Sequence, residues 1–172
     1  MKEQTCDSLI VGAGPAGLSA AVELLQGNAG RVNILDKGQS LHQRYCPAMT
    51  SGICINCPDC SVLSGVGGAS GMLGGKFCFF PAGERLAHHS GFSSTQANLL
   101  ILSFLDRIGF AFPTEGLNVD FQKSSKNITD SLTLKDYKAI PVFQNEMRHF
   151  FINLINSVRI KGGEFTIKCR SS

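Results

Sequence analysis

Tryptophan is absent, tyrosine occurs only twice, and charged side chains make up 17% of the 172 residues. An average globular chain carries about 25% charge, so this sparseness argues against a disordered chain and for a well-buried one. The formal net charge of +3 comes with no basic run and no acidic tail. Neither nucleic acid nor an anionic membrane surface is expected as a partner. No stretch of about eighteen apolar residues exists to form a membrane span. The opening "MKEQTCDSLIVGAG" lacks a long apolar run before its first glycines, so no secretory signal is expected and the cytoplasm is the default. Without secretion, the sequon Asn127-Ile128-Thr129 carries no message. No Ser-His-Asp, H-E-x-x-H or Walker-type pattern supports a hydrolase or kinase reading, and no internal repeat appears.

Glycine and cysteine are plentiful instead, with 19 glycines and seven cysteines. The glycines gather between residues 12 and 91, where they suit loops that approach a ligand closely. In a reducing compartment the cysteines are expected to be free, metal-bound or catalytic rather than paired. The length suffices for one domain with its own core and is short for two.

Residues 7 to 37 read as one βαβ unit. "DSLIVGAG" is a short buried strand ending in a glycine turn. "PAGLSAAVELLQG" follows as a helix with Pro15 in its first turn, and Leu18, Ala21, Leu24 and Leu25 share one face. "RVNILDKG" is a second apolar strand, and a right-handed crossover makes the two strands parallel. Residues 38 to 92 are irregular and rich in cysteine, glycine and proline, and so long a connection is usually functional. Residues 93 to 172 form a helical and surface region. Residues 94 to 108 are predicted helical with Ser94 or Thr95 as cap, and 114 to 137 make a polar surface segment. Residues 141 to 163 contain an amphipathic helix stopped by Gly162-Gly163, and "EFTIKC" is a strand.

"IVGAGPAG" sets Gly12, Gly14 and Gly17 in the G-x-G-x-x-G pattern at the strand-to-helix turn. The spacing provides a tight turn, backbone approach to a pyrophosphate, and close packing of helix on strand. Unpaired N–H groups and the positive end of the helix dipole then face the phosphates, with Ala13, Pro15 and Ala16 completing the turn. Asp36, followed by Lys37, ends the second strand. A carboxylate there accepts hydrogen bonds from ribose hydroxyls and repels a 2′-phosphate. Strand, helix, second strand and terminal acid agree on dinucleotide binding.

"GAGPAGLSAA" followed by "ILDKG" resembles the first FAD-binding segment of the flavoproteins that include glutathione reductase, fumarate reductase and geranylgeranyl reductase. Those usually have Glu where this chain has Asp36, a shorter acid with the same chemistry. A second segment, "RYCPAMTSGICINCPDCSVLSGVGGASGMLGGK", is similar to the uncharacterised FAD-dependent dehydrogenases. The likeness runs through Cys46, Pro47, Cys54, Cys57, Cys60, Gly65, Gly67, Gly68, Ala69, Gly75 and Lys76.

The resemblance implies an α/β fold: a Rossmann-like FAD/NAD(P)-binding domain with a parallel sheet. Because those proteins are much longer, it also implies the N-terminal part of a larger flavoprotein, incomplete at its C-terminus. In the fumarate reductase group a G-G-x-S segment ending in G-G lines the FAD pyrophosphate and flavin. By likeness Gly67, Gly68, Ser70, Gly74 and Gly75 are expected there, with Lys76 adding positive charge. FAD is the implied cofactor, and NAD(P)H is a candidate electron donor.

The cysteine run leaves three readings open. Cys54, Cys57 and Cys60 at C-x₂-C-x₂-C spacing, with Cys46 as fourth ligand, suit a [4Fe–4S] cluster or, by ligand type, zinc. A C-x-x-C pair also suits thiol–disulfide exchange. The third reading is a thiol-rich loop that binds nothing. Cys6, Cys78 and Cys169 read as buried apolar residues. His88-His89 and Arg85 are candidates for acid–base or phosphate work, with solvent exposure the commoner fate of such loop residues. Phe77, Phe79, Phe80 and Phe92 suit core packing better than a flavin.

The sequence therefore predicts an FAD-dependent oxidoreductase acting on a small-molecule substrate or electron donor. No catalytic residue, substrate or oligomeric state is assigned. The rival readings are a truncated, non-enzymatic fragment, with or without metal at its cysteines, and an NAD-binding dehydrogenase.

Overall fold

The computed structural model describes residues 5–110, 124–129, 132–136 and 139–167. In chain order the elements begin with β1 (Ser8–Val11), α1 (Pro15–Gln26), β2 (Val32–Asp36), α2 (Ala48–Ser51), α3 (Ser70–Leu73) and β3 (Gly75–Cys78). They continue with α4 (Glu84–His89), α5 (Ser94–Arg107), β4 (Ser124–Thr129), β5 (Leu132–Asp136), β6 (Ala139–Val142), α6 (Gln144–Ile160) and β7 (Glu164–Ile167). The chain divides into two units. One joins the chain up to Gly75 to the chain from Phe143 onward, and the other runs from Lys76 to Val142.

The first unit is the Rossmann-like part. Its sheet has the order β1-β2-β7, and both pairings are parallel, with Ser8 opposite Val32 and Asn33 opposite Glu164. The central β2 is buried at Val32, Asn33, Ile34 and Asp36, with Leu35 half-buried. Such a run befits a strand covered on both faces by crossover helices. On α1 the buried side chains are Leu18, Ala21, Val22 and Leu25; on α6 they include Met147, Phe150, Phe151, Leu154 and Val158. Helix α1 packs on α6, and α6 also packs on α3. Burial of Phe151 or Leu154 contributes about 1.5–3 kcal/mol each. The predicted stop at Gly162-Gly163 is tight: a Cβ on Gly163 would sit 2.9 Å from Leu25 Cδ1.

The predicted strand–helix–strand unit and its parallel pairing stand as expected, as do α5, α6 and β7. Three details differ. The cap of α5 is Ser93, whose hydroxyl accepts from Gln96 N at 3.2 Å while Gln96 Oε1 accepts from Ser93 N at 2.9 Å. This reciprocal capping box moves the start one residue ahead of the predicted caps. The polar segment carries an antiparallel β4–β5 pair, Ser124 opposite Asp136; its residues 114–123, 130, 131 and 137 lie outside the described residues, as does Cys169. The irregular stretch 38 to 92 contains the short elements α2, α3, β3 and α4.

In the second unit β3 pairs with β6 and α4 packs on α5. Asn98 is fully buried there, and its Oδ1 accepts from Phe80 N at 2.8 Å. No described helix is long and apolar enough to cross a membrane.

Candidate dinucleotide cleft and cysteine lobe

The turn after β1 is held by its backbone. Gly12 has φ +101°, a conformation side chains disfavour, and its N–H donates to Leu35 O at 2.7 Å. A Cβ at Gly17 would overlap the Gly12 carbonyl oxygen, so only glycine lets α1 pack this closely on the turn. Gly14 is different. Nothing lies within 4 Å of a Cβ placed there, and as the cap of α1 it makes no side-chain cap hydrogen bond. The first amides of α1 lack intrahelical partners at the positive end of the helix dipole, and Gly14 leaves the space beside its own Cα open.

Asp36 is buried at the end of β2. Its Oδ2 accepts from Ala13 N and its Oδ1 from Gly38 N, both at 2.8 Å. The carboxylate thus ties the glycine turn to the segment that leaves the second strand. Each oxygen keeps lone-pair capacity for a further donor.

The second glycine stretch docks on the first. Gly67 N donates to Ala13 O at 2.8 Å, and Val66 N donates to Gln39 O at 3.0 Å. A Cβ on Gly68 would lie 3.4 Å from Pro15 Cδ and 3.5 Å from Gly14 Cα. Together the segments enclose a cleft of about 410 Å³, walled by Gly12, Gly14, Asp36, Lys37, Gly65 and Gly68. The apolar part of its wall comes from Val11, Leu35 and Leu63. It lies beyond the carboxyl ends of parallel strands, where open α/β sheets hold ligands.

Other predicted residues fall elsewhere. Ala13 is buried behind the turn and Ala16 is exposed on α1. Gly67 packs inward, where a Cβ would be 3.1 Å from Leu41 Cδ1 and 3.4 Å from Phe151 Cδ2. Ser70, Gly74 and Gly75 lie along and just after α3 and do not line this cleft. Lys76 belongs to the second unit, as do Arg85, His88 and His89, all exposed. Phe79 is a core residue of that unit, and the Phe77 ring meets Phe110 at a centroid distance of 5.7 Å.

Sequence reasoning missed Arg44. Only 6% exposed, it donates from Nε and Nη2 to Ser61 O at 2.9 and 2.7 Å, and from Nη2 to Val62 O at 3.0 Å. Its Nη1 donates to Val66 O and Gly68 O, both at 2.7 Å. Burial lowers its pKa from the usual value, with the nearby Asp36 carboxylate acting in the opposite sense. "QRYCPA" gave no sign of this, because every partner is a backbone carbonyl.

Arg44 also ties its own segment to Ser61 and Val62, which brackets residues 45–60, the stretch that carries the cysteines of the metal-site expectation. Cys54 is exposed, Cys46, Cys57 and Cys60 are half-buried, and all four are free thiols. Three of them sit in separate local turns. The Cys46 carbonyl accepts from Met49 N at the start of α2, Cys54 Sγ donates to Asn56 Oδ1 at 3.7 Å, and the Cys60 carbonyl accepts from Leu63 N and Ser64 N. Among the described residues no group of three or more His, Cys, Asp or Glu side chains is gathered to hold a metal ion. The three-residue spacing does not gather the thiols round one centre here, which leaves the cluster and zinc readings without support. Protein purified anaerobically should carry less than about 0.1 equivalent of iron, zinc or sulfide per chain, since a structural site binds tightly enough to survive purification. One zinc, or iron with matching sulfide, would reverse that conclusion.

A βαβ unit with a glycine turn before its helix and an acid at the end of the second strand is the arrangement of a Rossmann-like domain. Residues 7–54, which include β1, α1 and β2, match the family described as FAD binding domain. No curated protein matches the chain. Among solved structures it is similar to NikD, an unusual amino acid oxidase essential for nikkomycin biosynthesis, and to a single-site variant of it, both in the open form. In both cases the identity is 10% and the TM-score 0.35, over 96% of this chain and 44% of the other. The chain thus spans less than half the length of those structures.

Proposed function

We infer that the chain binds the ADP half of FAD in the cleft above α1 and belongs to an FAD-dependent oxidoreductase. The observation that carries this reading is the docking of the Gly65–Gly68 loop on the Gly12–Gly17 turn, which walls a cleft beside the free amides of α1. The match of residues 7–54 to FAD-binding domains supports FAD over NAD.

In this reading the amides after Gly14 meet the pyrophosphate, Asp36 meets the ribose, and Lys37 and Gly68 border the phosphates. Ser70, Gly74, Gly75 and Lys76 would be the flavin-side set. Bound FAD would supply hydride or electron transfer between a small-molecule substrate and a donor such as NAD(P)H, and the protein would bind and orient it.

Isothermal titration of the purified chain tests the reading. FAD and ADP should both bind with Kd in the micromolar range, about −8 kcal/mol, and ADP should compete with FAD. NAD should bind at least about tenfold more weakly, a difference of about 1.4 kcal/mol. Binding of NAD in preference to FAD would favour the NAD-dependent dehydrogenase instead. Binding of neither FAD nor ADP would overturn the reading.

A further inference from the structure

We propose that Arg44 is the positioning residue of the dinucleotide cleft: its guanidinium fixes the loop 61–68 as the cleft's second wall and sets a positive charge behind it. This rests on the dinucleotide reading above.

The geometry makes two separate demands on this side chain. The first is shape. Arg44 hydrogen bonds to the carbonyls of Ser61, Val62, Val66 and Gly68, so one planar fork holds both ends of the loop. Leu63, Gly65 and Gly68 of that loop line the cleft. The fit is close: a Cβ on Gly65 would lie 3.0 Å from Arg44 Cδ and 3.1 Å from its Nε. Lysine has the charge but lacks the fork.

The second demand is charge. A buried guanidinium normally has a paired carboxylate. Among the described residues none hydrogen bonds to Arg44, and the carboxylate that influences it is Asp36, whose oxygens accept from the Ala13 and Gly38 amides instead. The buried charge lies behind the backbone of Gly65 and Gly68, in the wall of a cleft that Gly14 at the start of α1, Asp36 and Lys37 also line. Such a charge favours an anionic ligand over a neutral one of the same shape.

The two demands separate experimentally with ADP and adenosine as probes, titrated against wild type, Arg44→Lys and Arg44→Met. Arg44→Met should weaken ADP by about tenfold or more and adenosine by only about threefold, so the ADP preference falls. Arg44→Lys should weaken both ligands by about threefold and keep that preference. Amide exchange supplies a readout without ligand: the Val66, Gly67 and Gly68 amides should lose protection at least about tenfold in Arg44→Lys. Equal losses of ADP and adenosine in Arg44→Met would overturn the charge role. Unchanged exchange in Arg44→Lys would overturn the cage. Should Arg44→Met fail to fold, the lysine variant still decides, because the charge role requires its ADP preference to equal that of wild type. Wild type that binds no ADP would defeat the dinucleotide reading and the charge role together, and amide exchange would then decide the cage by itself.

Discussion

Replacing Gly17 by alanine is expected to cost about 2–4 kcal/mol of stability, the upper range for overpacking against backbone. A melting temperature lowered by roughly 5–12 °C would report it in a chain of this size. The added methyl would overlap the Gly12 carbonyl oxygen and come within 3.2 Å of Ile10 Cγ2. The carbonyl belongs to the backbone of the turn and cannot swing aside as a flexible side chain would. Helix α1 must instead lift off the strand, carrying its free amides with it, so FAD and ADP affinity should fall by about a hundredfold. Gly14→Ala is the matched control. Its methyl meets nothing within 4 Å and its backbone is unstrained. Its melting temperature should stay within about 2 °C of wild type, while ADP binding weakens because the methyl occupies the cleft. Equal destabilisation of the two variants would mean that the α1–β1 approach is not what Gly17 protects.

Asp36→Asn should have the second largest effect. Both carboxylate oxygens accept a backbone N–H at 2.8 Å, from Ala13 and from Gly38. Asparagine has one acceptor, and its NH₂ would confront the other donor. An orphaned buried amide costs about 1–3 kcal/mol, and the turn it anchors is the one expected to hold the pyrophosphate. Chemical denaturation should show that loss, and titration should show ADP affinity reduced by about thirtyfold or more, since charge-assisted bonds are about twice as strong as neutral ones. Wild-type stability together with weakened ADP binding would assign Asp36 to ligand alone. Lost stability with ADP affinity intact would assign it to the turn alone.

What the sequence makes legible follows from where information is stored. The βαβ unit can be read because Gly12 and Gly17 answer steric demands that few other residues meet, and because Val32, Ile34 and Leu35 make β2 a mainly apolar strand that ends in an acid. The second glycine stretch is legible as a cofactor loop, but not which of its glycines face the cleft. Gly65 and Gly68 line it, whereas Gly67 turns toward Phe151. Glycines have no side chain to mark inside from outside. Arg44 is invisible because its partners are carbonyls, which every residue carries. The cysteine spacing says little for a related reason: C-x₂-C-x₂-C fixes separations along the chain, and the local turns decide whether the sulfurs converge. The β4–β5 pair is hidden because "SSKNIT" lacks the alternation of apolar and polar residues that marks a half-buried strand.

The joining of distant chain segments in the first unit matters on the ribosome. Strands β1 and β2, helix α1 and the loop 61–68 emerge early, yet α1 packs on α6, whose Phe151, Leu154 and Val158 are buried. From Gly75 to Phe143 the ribosome must add 68 residues, about 3–14 s of synthesis at typical rates. Over that interval Leu18, Val22 and Leu25 have no α6 to cover them. A nascent chain paused there would offer a greasy stripe to chaperones that wait at the ribosome, and slower translation through the insertion would lengthen that exposure.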